Sequence, residues 1–167
     1  AQTLHRLQGM VSCSRIEDQV SFTVSAWQEN PSDILSDISR RLADSDRLVV
    51  RSSALSEDGF GVSNAGAYTS LLNIERASAQ ALSAAIDKVI ASYPDGHPEN
   101  QVLVQPMLES VVASGVAFTR VLATGAPYYV VNYDDITRST ESITSGSSRE
   151  HKTLFLHRSA PDEHRNI

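Results

Sequence analysis

The chain has 167 residues, which fits one domain with a buried core or one domain cut short. Hydrophobic residues make up 41% and charged residues 20%, which excludes a disordered or fibrous protein. The net charge of −6 argues against nucleic-acid or anionic-membrane partners, because those partners require a basic surface. No apolar run approaches the ~18 residues of a membrane span. The single cysteine, Cys13, cannot form an internal disulfide, so we expect a cytoplasmic protein.

The first half of the chain predicts short strands and helices. Residues 1–10 show apolar residues at helical spacing, and residues 20–24 alternate between apolar and polar side chains as a half-exposed strand does. Pro31 follows an asparagine and opens a helix whose buried stripe ends at Leu42. A second helix runs from residue 78 to residue 93 and stops at a Pro-Asp-Gly turn.

Beyond residue 100 the pattern changes to strands. Apolar, β-branched and aromatic residues favour strands at residues 102–107, 116–120, 128–133 and 153–157. A turn at residues 123–127 joins two of these strands as a hairpin, and residues 134–149 form a polar loop by composition. We therefore predict an α+β fold with a mainly antiparallel sheet and two or three helices.

The segment from Leu48 to Ile74 carries the strongest chemical signal. A short apolar strand ends at Arg51, and Ser52, Ser53 and a loop of small residues follow it. A guanidinium supplies a planar fork of donors, and small side chains let backbone N–H groups approach an anion closely. The pattern predicts that this segment binds the phosphates of a nucleotide.

Two acidic pairs allow more than one interpretation. Arg51 could instead form a surface ion pair with Glu57 or Asp58, carboxylates that could also help to hold Mg²⁺. Asp134 and Asp135 are expected to form a solvated strand end, with contact to a metal or substrate as the alternative. The histidines are too scattered along the chain to predict a metal site.

Three motifs, taken together and in this order, resemble the N-terminal nucleotide-binding domain of the phosphoenolpyruvate synthase and pyruvate phosphate dikinase family, which has an ATP-grasp fold. The motifs are VRSSA at residues 50–54, VLVQPM at residues 102–107 and SGVAFTR at residues 114–120. The resemblance runs from about residue 48 to residue 146, and more loosely back to residue 1. It implies a partial ATP-grasp fold for this chain.

The resemblance implies which residues bind the phosphates of ATP. In this family the arginine of the first motif contacts the phosphates, which implies a catalytic role for Arg51, with Ser52 and Ser53 beside it. The loop through Ser63 and Gly66 is similar to one that covers the phosphates with backbone N–H groups.

The resemblance also implies which residues bind the adenine. The second motif is similar to a hinge strand whose backbone reads the edge of the base, which implicates Gln105, Met107, Leu108 and Glu109. Phe118, in the third motif, is expected to be a core residue or part of a pocket wall.

On this interpretation residues 1–167 are a fragment of one nucleotide-binding ATP-grasp domain. Residues 1–109 would be the first part, with the Arg51 motif, the helix at 78–93 and the hinge strand, and residues 110–167 the start of the second lobe. The family's phosphate-binding lysine would fall before residue 1, and its metal ligands beyond residue 167. We therefore expect ATP and Mg²⁺ as cofactors, and an inactive fragment.

The resemblance implies the ATP-binding portion of a phosphotransferase, a kinase or dikinase. The phosphoryl group of ATP would pass to a carrier histidine in another domain of the full-length chain, and then to pyruvate or a similar acceptor. One alternative is a non-catalytic ATP-grasp remnant that serves as a regulatory or interaction module. Another is a related dikinase that phosphorylates a drug or a glucan.

Overall fold

Seven strands and four helices make up the part of the chain that the computed structural model describes, which is residues 2–7, 9–54, 69–137 and 152–160. These elements form two units, residues 1–108 and residues 109–167. Every strand pair in the described residues is antiparallel. The predicted α+β class and antiparallel pairing are confirmed, and two of the four helices have only six residues each.

The first unit is one four-stranded sheet with helices on one side. Its strands have the spatial order β1-β4-β2-β3, so β2 and β4 are interior strands. In chain order its elements are α1 (Gln2–Leu7), β1 (Val20–Thr23), α2 (Val24–Glu29), α3 (Pro31–Arg41), β2 (Arg47–Ser53), β3 (Ser70–Glu75), α4 (Ala79–Ala91) and β4 (Gln101–Pro106).

Helices α3 and α4 begin where their capping residues predict. Pro31 occupies the first turn of α3, where a missing backbone N–H costs nothing. The Ser78 hydroxyl accepts a hydrogen bond of 3.2 Å from the Ala81 N–H at the start of α4. Both helices turn an apolar stripe towards the sheet, and Ile38 and Ile86 are fully buried there.

The α2 helix was not predicted, because Val24 continues the alternating pattern of β1. The chain turns instead at Thr23, whose hydroxyl accepts the Ala26 N–H at 3.1 Å. The Val24 N–H donates to the Asn100 carbonyl at 2.9 Å, and the next N–H donates to the Pro98 carbonyl. A distant loop therefore satisfies the first N–H groups of α2, which no local pattern reveals.

The core of the first unit lies between the sheet and helices α2, α3 and α4. Leu48 and Val50 of β2 and Val102 and Val104 of β4 are fully buried on the face that these helices cover. Burial of each such side chain stabilises the fold by about 1.5–3 kcal/mol. We call the opposite face of this sheet the outer face.

The second unit is a three-stranded sheet of order β5-β6-β7. Its strands are β5 (Ser114–Phe118), β6 (Tyr128–Asp134) and β7 (Lys152–His157). The predicted turn joins β5 to β6, and Gly125 adopts a positive φ of 68° there, a conformation that favours glycine. The Gly125 N–H closes this turn by donating to the Val121 carbonyl at 2.8 Å.

Candidate nucleotide site

Arg51 lies on the outer face of an interior strand. Residues alternate between faces along β2, so Val50 is fully buried under the helices while Arg51 is exposed. Leu103 of β4 and Ser70 of β3 lie directly opposite Arg51 on either side. The Arg51 guanidinium, with its five donors, makes no hydrogen bond or ion pair with any described residue.

The sheet register brings two other predicted binding residues to the face that carries Arg51. Gln105 lies opposite Val49, which makes it a diagonal neighbour of Arg51, with about 7 Å between their Cβ atoms. Ser53 lies two residues beyond Arg51 and so shares its face. These polar side chains and the Arg51 cation therefore lie along one surface.

Ser52 is placed differently. It lies opposite Val102, which belongs to the buried core, so its side chain is on the helix-covered face. Only the backbone of Ser52 could therefore join Arg51 in contacting an anion on the outer face.

The predicted adenine-binding residues lie at the other end of β2. The Met107 N–H donates to the Arg47 carbonyl at 2.8 Å, which extends the pairing of β2 with β4 past Pro106. Since Arg47 precedes Arg51 by four residues, Met107 lies about 13 Å along the strand from Arg51. Leu108 is 57% exposed and ends the first unit, and Glu109 is the first residue of the second.

Two other predicted site residues, Ser63 and Gly66, lie outside the described residues, as do Glu57 and Asp58. The sequence segment that contains them follows directly after Ala54. Its proposed contacts with phosphate, and the alternative ion pair of Arg51 with either acidic residue, therefore stay predictions.

Tyr93 adjoins Ser53 of the candidate site, although the sequence shows it only as the last residue of the helix predicted at residues 78–93. Tyr93 is 6% exposed, and its hydroxyl accepts the Ser53 N–H at 3.2 Å and donates to the Gln101 carbonyl. Ser53 and Gln101 are opposite each other in the sheet. The sequence did offer a signal for this role. A tyrosine at the end of an apolar stripe is expected to be buried, and a buried hydroxyl requires a hydrogen-bond partner.

The second unit has a cavity of its own, of about 370 Å³, beside one face of its sheet. Phe118 and Phe155 supply apolar walls, and Arg120 adds a cation. The Thr153 hydroxyl donates to the Asn132 side-chain oxygen at 2.8 Å, so these two polar residues of the lining satisfy each other. Phe118 is therefore part of a cavity wall, one of the two roles predicted for it.

The interpretation of Asp134 as a solvated strand end is wrong. Asp134 is fully buried, and its carboxylate accepts the N–H groups of Ile136 and Thr137, each at 2.8 Å, and the Thr137 hydroxyl. A carboxylate that accepts several donors terminates the strand as a local cap. Its neighbour Asp135 accepts a hydrogen bond of 2.6 Å from Lys152, which lowers the pKa of Asp135 and raises the pKa of Lys152.

The described parts of the chain carry neither of two further kinds of site. No group of three or more His, Cys, Asp or Glu side chains is arranged there to hold a metal ion. Within the same residues, no helix combines the length and the apolar character needed to cross a bilayer.

The chain was compared with known families and proteins. The sequence model of the family described as "Pyruvate phosphate dikinase, AMP/ATP-binding domain" matches residues 19–96, just under half of the chain. The match includes β1, the Arg51 motif and α4, while the VLVQPM and SGVAFTR motifs follow it. No curated protein matches the chain significantly. Residues 19–96 are therefore similar to the AMP/ATP-binding domain of the pyruvate phosphate dikinase family, a family of kinases.

Proposed function

We propose that this chain is the ATP-binding portion of a phosphotransferase of the phosphoenolpyruvate synthase type. The enzyme would pass a phosphoryl group from ATP to a carrier histidine outside these 167 residues, and from there to pyruvate or a similar acceptor. The observation that carries the proposal is Arg51, an exposed arginine without a partner among the described residues, inside the segment that matches an AMP/ATP-binding domain.

The position of Arg51 supports this role over a purely structural one. A structural arginine is normally held by a carboxylate or by backbone carbonyls, as Arg41 at the end of α3 is held by Asp37 and the Gln19 carbonyl. Arg51 has neither kind of partner among the described residues, yet the β2–β4 and β2–β3 ladders fix its backbone on both sides. An exposed arginine that has a fixed backbone and no partner among the described residues is suited to an anionic ligand.

The spacing along β2 supports ATP rather than a small free anion. Met107 pairs with Arg47 and therefore lies four residues, or about 13 Å, along the strand from Arg51. An extended nucleotide separates its base from its terminal phosphate by a comparable distance. One end of the strand would then hold the phosphates, while the backbone at the other end would read the edge of the adenine.

The chemistry expected of Arg51 is electrostatic. Phosphoryl transfer spreads negative charge over the transferred group, and a fixed guanidinium stabilises that charge without reorganising. Arg51 would thereby bind and orient the triphosphate, while the Mg²⁺ expected with ATP would neutralise further charge on it.

Calorimetric titration of the full-length chain with Mg·ATP tests the proposal. Arg51→Ala should weaken binding by about 10- to 100-fold, because a hydrogen bond to a charged group contributes about 1.5–3 kcal/mol. Arg40→Ala is the matched control, since it removes the same charge from an exposed position on α3.

Equal affinity of the Arg51→Ala and wild-type proteins would remove Arg51 from the site. If neither protein bound ATP, the result would favour the alternative of a non-catalytic remnant. Equal weakening by Arg40→Ala would show that only the net charge of the protein matters.

A further inference from the structure

The hydroxyl of Tyr93 lies where the strand that carries Arg51 ends. Tyr93 lies two residues beyond the end of α4, and it belongs to the buried core of the first unit. The hydroxyl accepts the Ser53 N–H at 3.2 Å and donates to the Gln101 carbonyl. One side chain thus joins the last residue of β2 to the first residue of β4.

This position matters because Arg51 lies on the same strand, two residues before Ser53. Displacement of the Ser53 backbone would move the end of β2 that carries the guanidinium. Catalytic and binding groups lose much of their effect when they are displaced by as little as 1 Å.

A tyrosine is not required here for packing alone. A phenylalanine would fill the same buried volume without a hydroxyl that needs partners. The hydroxyl is bound on both sides to backbone groups of two paired strands, and neither partner belongs to the helix that precedes Tyr93. Its hydrogen bonds therefore act on the strand ends.

We propose that Tyr93 is a positioning residue for the phosphate-binding segment, acting through the backbone of Ser53. The inference rests on the proposed function, because it assigns Tyr93 to the same nucleotide site. The α4 helix would thereby hold in place the end of the strand from which Arg51 reaches the phosphates.

Tyr93→Phe tests this inference, since it removes the hydroxyl and keeps the buried ring. ATP affinity, measured by calorimetry with the full-length chain, should fall by about 2- to 10-fold, the effect of one net hydrogen bond. Amide hydrogen exchange without nucleotide should become faster at Ser53 by a similar factor or more. Ser92→Ala is the matched control, because it removes a hydroxyl from the adjacent residue, where it bonds only within the helix end, to the Val89 carbonyl.

The inference is supported if Tyr93→Phe weakens ATP binding and accelerates Ser53 exchange while Ser92→Ala does neither. It is overturned if wild-type protein binds ATP and Tyr93→Phe binds it equally well. Failure of wild-type protein to bind ATP would instead refute the proposed function. In that case the role of Tyr93 in a nucleotide site is overturned with it, and faster exchange in Tyr93→Phe would show only that the hydroxyl holds the end of β2.

Discussion

Gly115 lies where two strands of the second unit approach too closely for any side chain. A Cβ atom at this position would lie 2.6 Å from the Asn132 carbonyl oxygen and 3.1 Å from the Tyr133 Cβ. Ordinary van der Waals contact begins at about 3.4 Å. In Gly115→Ala, β5 would therefore have to move away from β6 by most of an ångström.

The cost of this movement follows from two opposing terms. Forcing an extra methyl group into a close contact typically costs 1–3 kcal/mol. Replacement of glycine also lowers the conformational entropy of the unfolded chain, which stabilises the folded state by about 0.4–1 kcal/mol. Since β5 is an edge strand and can move outwards, we expect Gly115→Ala to lower the free energy of unfolding by about 1–2 kcal/mol.

Urea denaturation followed by far-UV circular dichroism measures this effect. The intrinsic fluorescence of Trp27 is unsuitable as the only probe, because this single tryptophan is buried in the first unit. Ala117→Ser is the control, an exposed position on the same strand where a change of about 0.5 kcal/mol or less is expected. An unfolding midpoint for Gly115→Ala that matches wild type would refute the argument from close approach.

The loop before β4 gives two further predictions. Asn100 is fully buried, and its side-chain amide donates to the Asp95 carboxylate at 2.7 Å. Asn100→Ala should therefore lower the free energy of unfolding, measured in urea, by about 1.5–3 kcal/mol. Glu99→Ala is the control, because Glu99 is exposed and its replacement should change the free energy of unfolding little. The His97 N–H, followed by the Asn100 amide, lowers the pKa of Asp95 below 3.8. The stability from this shift is therefore present above about pH 3.8 and is lost as the pH falls through the lowered pKa. Asp95→Asn should make the acid-side decline in stability shallower, and an identical pH profile would contradict this.

Local patterns were sufficient for much of the secondary structure. Pro31 and Ser78 mark the starts of α3 and α4, because capping depends on residues within one turn of each other. The antiparallel hairpin of β5 and β6 follows similarly from a turn that contains Gly125. Such signals can be read from the sequence because both partners of each interaction lie close together in the chain.

Other features depended on partners far away in the chain. Val24 begins a helix because the Asn100 carbonyl, 76 residues further on, accepts its N–H. The role of the Tyr93 hydroxyl depends on Ser53, forty residues earlier in the chain. No local pattern encodes these contacts.

For the candidate site, the sequence alone determined the residue types: a cation at the end of an apolar strand, small neighbours and a motif that resembles an ATP-binding family. The tertiary structure decided their arrangement. Pairing of β2 with β4 sets Gln105 beside Arg51, while strand alternation moves Ser52 to the opposite face. The physical reason is that register and burial are set by the packing of the whole sheet against its helices, so the direction of each side chain is a property of the assembled fold.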